Sequence, residues 1–157
     1  MTDQNPRDKK LREDIESYGW QVVKIMEDDK GPGFCYSIGL YHTFSHPEII
    51  ILGLKPDLGH VLINNIGEDI KNGKTYQAGQ FYRDILVDYK CFMLNVSAEY
   101  FDEYLGYAQS FYQAKDFPLL QCVYPTLKGI YPWEDDWPKE IRDLQPLLGE
   151  IDPRKIG

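Results

Sequence analysis

Residues 34–54, FCYSIGLYHTFSHPEIIILGL, contain two strand patterns joined by a polar turn. From residue 34 to residue 40 large side chains alternate with small ones, which is the period of a β-strand. From residue 49 to residue 52 the chain is continuously apolar, a pattern typical of a strand buried on both faces. We therefore predict that the second strand is the central member of a sheet.

One face of the first predicted strand carries only the small residues Cys35, Ser37 and Gly39. Such a face indicates that something packs very close to it. A helix lying on the sheet would explain the pattern, and so would a ligand pocket with this face as its floor. We favour the helix and keep the pocket as the alternative.

The rest of the chain predicts alternating helices and strands around this pair. Helical spacing is found at residues 7–18, 58–70 and 98–113, and strand patterns at residues 20–26, 81–87, 91–96 and 119–124. The helix at 98–113 has two apolar stripes, so it is either buried within one chain or forms a homodimer interface. Pro56 and Asp57 precede the middle helix, and we expect Asp57 to be its N-cap.

These elements predict one α+β domain over residues 1–157, with a mainly antiparallel central sheet of about five to six strands packed by about two to three helices. We expect residues 1–8 to be a flexible N-terminus. Four glycines and prolines between residues 125 and 138 exclude long regular elements there. Residues 125–157 are therefore predicted to form an irregular strap across the core, with a short helix near residues 138–144.

The composition limits the classes of partner. Hydrophobic residues make up 43% of the chain, the formal net charge is −8, and no cluster of Lys and Arg could neutralise a run of phosphates. We therefore exclude nucleic acid and anionic membranes as partners. An acidic surface would suit a basic protein partner, although a negative balance also serves solubility.

Cysteine usage and the absence of an apolar leader predict a cytoplasmic protein. The three cysteines are far apart in sequence and flanked by apolar or aromatic residues, as in reducing compartments. The N-terminus, MTDQNPRDKK, lacks the apolar segment of a signal peptide, and no apolar run is long enough to span a membrane.

Two histidines in the polar turn raise the question of a metal or a catalytic site. His42 and His46 are four residues apart, which on a helix would place both imidazoles on one face, but Pro47 argues against a helix there. Cys35 with either histidine could form a thiol and base pair, yet its place in an apolar strand favours an inert buried thiol. We predict no metal site and no catalytic residue, and the residues identify no cofactor.

Several short motifs occur in one order along the chain. They are Tyr18-Gly19-Trp20, Phe34-x-Tyr36-Ser37-Ile38-Gly39-Leu40, His46-Pro47-Glu48, Gly53-Leu54 and Gly129-x-x-Pro132-Trp133. In this order the chain resembles the bacterial family called domain of unknown function 4262, from about Ile15 to Trp133. The resemblance implies a stand-alone domain and brings no established activity, cofactor or catalytic residue.

Two functional hypotheses follow. The leading one is a non-catalytic cytoplasmic binding protein, acting as an immunity protein that neutralises a bacterial toxin. The alternative is a small-ligand domain, a flavin-like cofactor domain or a small enzyme, with a pocket over Cys35, Ser37 and Gly39. A homodimer is compatible with either hypothesis.

A third interpretation is that the motif residues only specify the fold. Against it, we expect His46→Ala to impair function more than stability. The candidate binding residues are Tyr36, Ser37, Gly39, His46, Glu48 and Trp133.

Overall fold

The computed structural model describes residues 6–152, and its six strands form one sheet in the order β1-β2-β3-β6-β5-β4. The strands are β1 (Gln21–Ile25), β2 (Phe34–Ile38), β3 (Glu48–Leu52), β4 (Phe81–Leu86), β5 (Tyr89–Asn95) and β6 (Leu119–Val123). The helices are α1 (Pro6–Tyr18), α2 (Leu40–Phe44), α3 (Pro56–Lys71), α4 (Phe101–Tyr104) and α5 (Gly106–Tyr112), with 3₁₀ turns at Ala98–Tyr100 and Lys139–Ile141.

Only the β3–β6 pair is parallel, and every other neighbouring pair is antiparallel. The predicted single α+β domain with a mainly antiparallel sheet is therefore confirmed. Of the N-terminus predicted to be flexible, residues 1–5 lie outside the described residues, and residues 6–8 belong to α1. Residues 153–157, the end of the predicted strap, also lie outside them.

Strand β3 is central, as its continuous apolar run predicts. All five of its residues are buried, and it lies between β2 and β6. One face contributes Ile49 and Ile51 to the core under α3, and the other contributes Ile50 and Leu52 to the core under α1, α4 and α5.

Helix α3 lies on the small face of β2, which confirms the helix interpretation of that face. A methyl group added at Gly59 would lie 3.0 Å from the Sγ of Cys35, so the helix approaches the strand as closely as glycine permits. The prediction of Asp57 as N-cap is wrong: Lys55 is the cap residue and Pro56 starts the helix. The fixed φ of Pro56 favours the first helical position, which leaves Asp57 in the first turn.

The polar turn contains a short helix that the sequence analysis did not predict. Helix α2 begins after Gly39, whose φ is 119°, and ends at Ser45, whose φ is 56°. Pro47 lies three residues beyond the helix and so does not prevent it. His42 is in the helix and His46 is outside it, so the two imidazoles do not share a helical face.

The helix predicted over residues 98–113 is broken in two. Leu105 has φ −111° and ψ 27°, which ends α4, and Gly106 starts α5. Leu105 itself is fully buried, so tertiary packing prevails over the helical pattern at this point. One of its two apolar stripes is entirely aromatic and packs in part on the core of the same chain; it consists of Tyr100, Tyr104, Tyr107 and Phe111.

The strap over residues 125–152 covers the remaining part of the sheet without forming a strand. Trp133, Leu147 and Ile151 pack on Phe92 and Leu94 of β5. Among the described residues, no helix is both long and apolar enough to cross a bilayer.

Candidate functional site

The Glu48 carboxylate lies fully buried at the start of β3 and accepts five hydrogen bonds. Three come from backbone N–H groups around the first turn of α2, at 2.8, 3.2 and 3.3 Å, and one from a β2 hydroxyl at 2.6 Å. The fifth comes from a tyrosine hydroxyl of α5. We call this cluster the Glu48 centre; its donors are Gly39, Leu40, Tyr41, Ser37 and Tyr112.

The Glu48 centre joins three parts of the fold around one charge. Burial raises the pKa of the Glu48 carboxyl, and the hydrogen bonds from Ser37 and Tyr112 lower it in part. Burial and the neighbouring carboxylate raise the pKa of Tyr112. The Ser37 hydroxyl also accepts the N–H of Ile49 at 2.9 Å, so both of its roles are used within the fold.

The His46 imidazole is also held entirely by the protein. Its Nδ1 lies 2.8 Å from the carbonyl oxygen of Pro47, and its Nε2 accepts the backbone N–H of Tyr76 at 2.9 Å. This pair of contacts requires the neutral ring with its proton on Nδ1. The side chain is buried, and burial lowers its pKa. His46 therefore connects the turn before β3 to the segment that follows α3.

Gly39 and Tyr36, on opposite faces of the sheet, are also enclosed by the protein. A methyl group added at Gly39 would lie 2.6 Å from the carbonyl oxygen of Gly19 and 2.8 Å from the Cα of Trp20. Tyr36 is fully buried on the opposite face, where its ring stacks on Phe34 with centroids 6.2 Å apart. The face of Cys35, Ser37 and Gly39, over which a pocket was the alternative to a helix, thus contacts α3, Glu48 and the Gly19–Trp20 segment.

Trp133 lies apart from the other candidate residues, in the strap. Its ring is half-buried and contacts Phe92 and Phe81 of the β4–β5 hairpin, with centroids 5.4 and 6.4 Å away. Tyr131 stacks on it at 4.8 Å. The structure therefore brings five of the six candidate residues, all except Trp133, to the region of β2, α2 and the start of β3.

His42 is exposed and lies 3.4 Å from a carboxylate oxygen of Glu16. Among residues 6–152, no group of three or more His, Cys, Asp and Glu side chains is placed to hold a metal ion. The three cysteines are free thiols and are buried.

Two contributors to these clusters were missed by the sequence analysis. Tyr112 reaches Glu48 across a separation of 64 residues, and Tyr76 meets His46 across 30. No spacing in the sequence connects these residues. The sequence feature that pointed to such partners is Glu48 at the head of an apolar strand, because a buried carboxylate needs hydrogen-bond donors around it.

The exposed charges are concentrated elsewhere. The turn at residues 27–30 and the strap residues 134–143 carry eight carboxylates against three basic side chains, which leaves −5 of the chain's −8. Of these segments, residues 27–30 and 139–143 line one surface cavity of about 550 Å³, and they carry five carboxylates and three basic side chains, a net charge of −2. We call them the acidic surface; its exposed apolar neighbours are Met26, 68% exposed, and Leu144, 36% exposed.

The chain belongs to the family described as domain of unknown function (DUF4262), which matches residues 14–138. Comparisons with curated proteins and with solved structures gave no match. The family assignment confirms the resemblance read from the motifs at residues 15–133.

Proposed function

We propose that the protein is a non-catalytic cytoplasmic binding protein that recognises a basic protein partner through the acidic surface, in the role of an immunity protein against a bacterial toxin. The observation that supports this proposal is the excess of five carboxylates over three basic side chains around one surface cavity. Complementary charge steers association and selects partners of opposite sign.

The acidic surface is held in a defined shape by hydrogen bonds. In the turn, the N–H of Asp28 donates to the carbonyl of Gly31, the reverse bond also forms, and the N–H of Lys30 donates to Asp28. In the strap, the indole N–H of Trp137 donates to the carbonyl of Ile141 at 3.1 Å. A preorganised surface loses less entropy when it binds.

Apolar side chains beside these charges supply contact area. Met26 adjoins the turn, and Leu144 lines the same cavity as the acidic residues. An apolar centre with a charged rim is the usual anatomy of a protein interface. The internal use of Glu48 and His46 fits this proposal, because their polar atoms serve the fold.

Affinity capture from the native host tests the proposal. The immobilised protein should retain a basic protein at low ionic strength and release it at high ionic strength. Replacing Asp29 and Asp143 by asparagine and Glu140 by glutamine should weaken retention by about tenfold, as expected for loss of several rim charges.

A matched control removes three carboxylates from other surfaces, with Glu13→Gln, Glu99→Gln and Asp116→Asn. It should retain the partner as the wild type does. Equal loss in both triple variants would show that only net charge matters and would contradict a specific surface. The toxin role is tested by co-expression: growth inhibition by the captured protein should be relieved by the wild type and less so by the acidic-surface variant.

A further inference from the structure

We infer that the turn end of the β4–β5 hairpin carries a second binding site, for a short acidic peptide segment of a partner that contains an apolar anchor residue. This inference does not depend on the proposed function, which assigns the acidic surface to a basic partner. The site is a cavity of about 420 Å³ between the hairpin and the strap turn at residues 126–130. We call it the hairpin-end cavity; Phe81, Tyr89, Lys90, Leu127, Lys128 and Tyr131 line it.

Two tyrosine hydroxyls fix the cavity walls against each other. The hydroxyl of Tyr89 donates to the carbonyl of Leu127 at 2.5 Å, and that of Tyr131 donates to the carbonyl of Lys90 at 2.7 Å. Phe81 packs on Tyr131 with centroids 5.6 Å apart. Hairpin and strap therefore form one preorganised unit, which lowers the entropic cost of binding.

The strap turn is closed by four hydrogen bonds of its own. The N–H of Thr126 donates to the carbonyl of Ile130 at 2.8 Å, and that of Gly129 donates to the carbonyl of Thr126 at 2.8 Å. The Thr126 hydroxyl accepts the N–H groups of Lys128 and Ile130. Gly129 takes φ 84°, a conformation that favours glycine. Gly129 of the Gly129-x-x-Pro132-Trp133 motif thus lies in the turn that carries Leu127 and Lys128.

The charge of the cavity is opposite to that of the chain. Lys90 and Lys128 are exposed and form no ion pair with a carboxylate of residues 6–152, while Asp88 is the single acid in the lining. The ammonium of Lys90 lies 5.9 Å from the centre of the Phe81 ring. Two lysines beside aromatic walls suit carboxylates attached to an apolar body.

Exposed apolar side chains favour a peptide over a small metabolite. Val87 at the hairpin tip and Leu127 on the strap turn are 83% and 86% exposed, the highest values among the large apolar residues described. Val87 precedes Asp88, a lining residue, and so extends the apolar rim beyond the cavity. A partner surface can cover both the cavity and this rim, whereas a ligand held inside about 420 Å³ would leave the rim in water.

The test uses an array of immobilised short peptides, each with one Phe or Leu flanked by Asp and Glu, and a matched array with Lys in place of every acid. The labelled full chain should bind members of the acidic array and not their lysine counterparts. Lys90→Glu/Lys128→Glu should reduce this binding by about tenfold or more, since two attractive pairs become repulsive. Leu127→Ser should reduce it as well, because the apolar contact is removed.

The matched control, Lys55→Glu/Lys115→Glu, makes the same change in net charge on other surfaces and should bind the acidic array as the wild type does. Equal loss in both double variants would overturn the inference, as would the absence of any preference for the acidic array. Circular dichroism confirms that each variant is folded. The acidic-surface variant should keep its peptide binding, so failure of one proposal is distinguishable from failure of the other.

Discussion

Replacing Glu48 by glutamine preserves the shape of the side chain but puts an amide NH₂ among hydrogen-bond donors. If the NH₂ replaces Oε2, the backbone N–H groups of Gly39 and Tyr41 lose their acceptor. If it replaces Oε1, the N–H of Leu40 loses its acceptor, and the Ser37 hydroxyl can no longer donate there. In either orientation at least one fixed backbone donor is left unpaired in a buried place.

The expected cost follows from the balance of three effects. An unpaired buried donor costs about 1–3 kcal/mol, and the remaining bonds lose the strengthening that an ionised acceptor provides. Relief of the buried charge acts in the opposite direction, since burial raises the pKa of this carboxyl. We therefore expect Glu48→Gln to lower the free energy of unfolding by about 2 kcal/mol, or the melting temperature by about 4–8 °C for a chain of this size.

Urea unfolding at about pH 8, followed by circular dichroism, measures this free energy. Glu99→Gln serves as control because Glu99 is exposed, and it should change stability by less than about 0.5 kcal/mol. If Glu48→Gln unfolds within that same margin of the wild type, the Glu48 centre does not hold α2 and α5 to β3, and our account of the motif is refuted.

Three further predictions concern the motif residues. His46→Ala should lower the free energy of unfolding by about 2–4 kcal/mol, because it unpairs the N–H of Tyr76 and the carbonyl of Pro47. The sequence-based expectation of a mainly functional loss stays a prediction, and this measurement tests it. Because burial lowers the pKa of His46, the stability of the wild type should fall as the pH drops below about 6.5. The difference in free energy of unfolding between the wild type and His46→Ala should therefore shrink between about pH 7.5 and 5.5. A constant difference in urea unfolding over this range would contradict the expectation. Gly39→Ala should lower the free energy of unfolding by more than about 3 kcal/mol, because its methyl group would meet the backbone of Gly19 and Trp20. Gly79→Ala is the control: Gly79 also has positive φ but has open space around it, so the loss should be about 1 kcal/mol. Equal melting temperatures for the two variants would disprove the packing argument. Trp133→Ala should lower the free energy of unfolding by about 2–3 kcal/mol and make the strap sensitive to limited proteolysis, because the Trp133 ring packs on Phe81 and Phe92. An unchanged cleavage pattern would show that other contacts hold the strap.

The motif residues lie in the structure as components of the fold more than as a binding site. Ser37, Gly39, His46 and Glu48 are buried or closely packed, and the hydrogen bonds described above for their polar atoms are internal. This arrangement favours the third interpretation for these four positions. The functional surfaces that we propose instead lie on turns, where charge and apolar side chains are exposed.

The sequence alone determined the elements whose pattern is local. The apolar run at residues 49–52 predicted a central strand, and the small residues at 35, 37 and 39 predicted a close-packed helix, because side-chain period and size act between near neighbours. Family membership could also be read from motifs in order along the chain.

Only the tertiary structure decided which distant residues meet. Tyr112 joins Glu48, and Leu105 breaks its helix, because both respond to packing against elements far away in sequence. The register of the sheet, with β3 parallel to β6, brings the β1–β2 turn and the β4–β5 turn to the same end of the molecule. Pairing of strands depends on contacts between residues far apart in the chain, so hydrophobic period predicts that strands exist and leaves their order and direction to the folded structure.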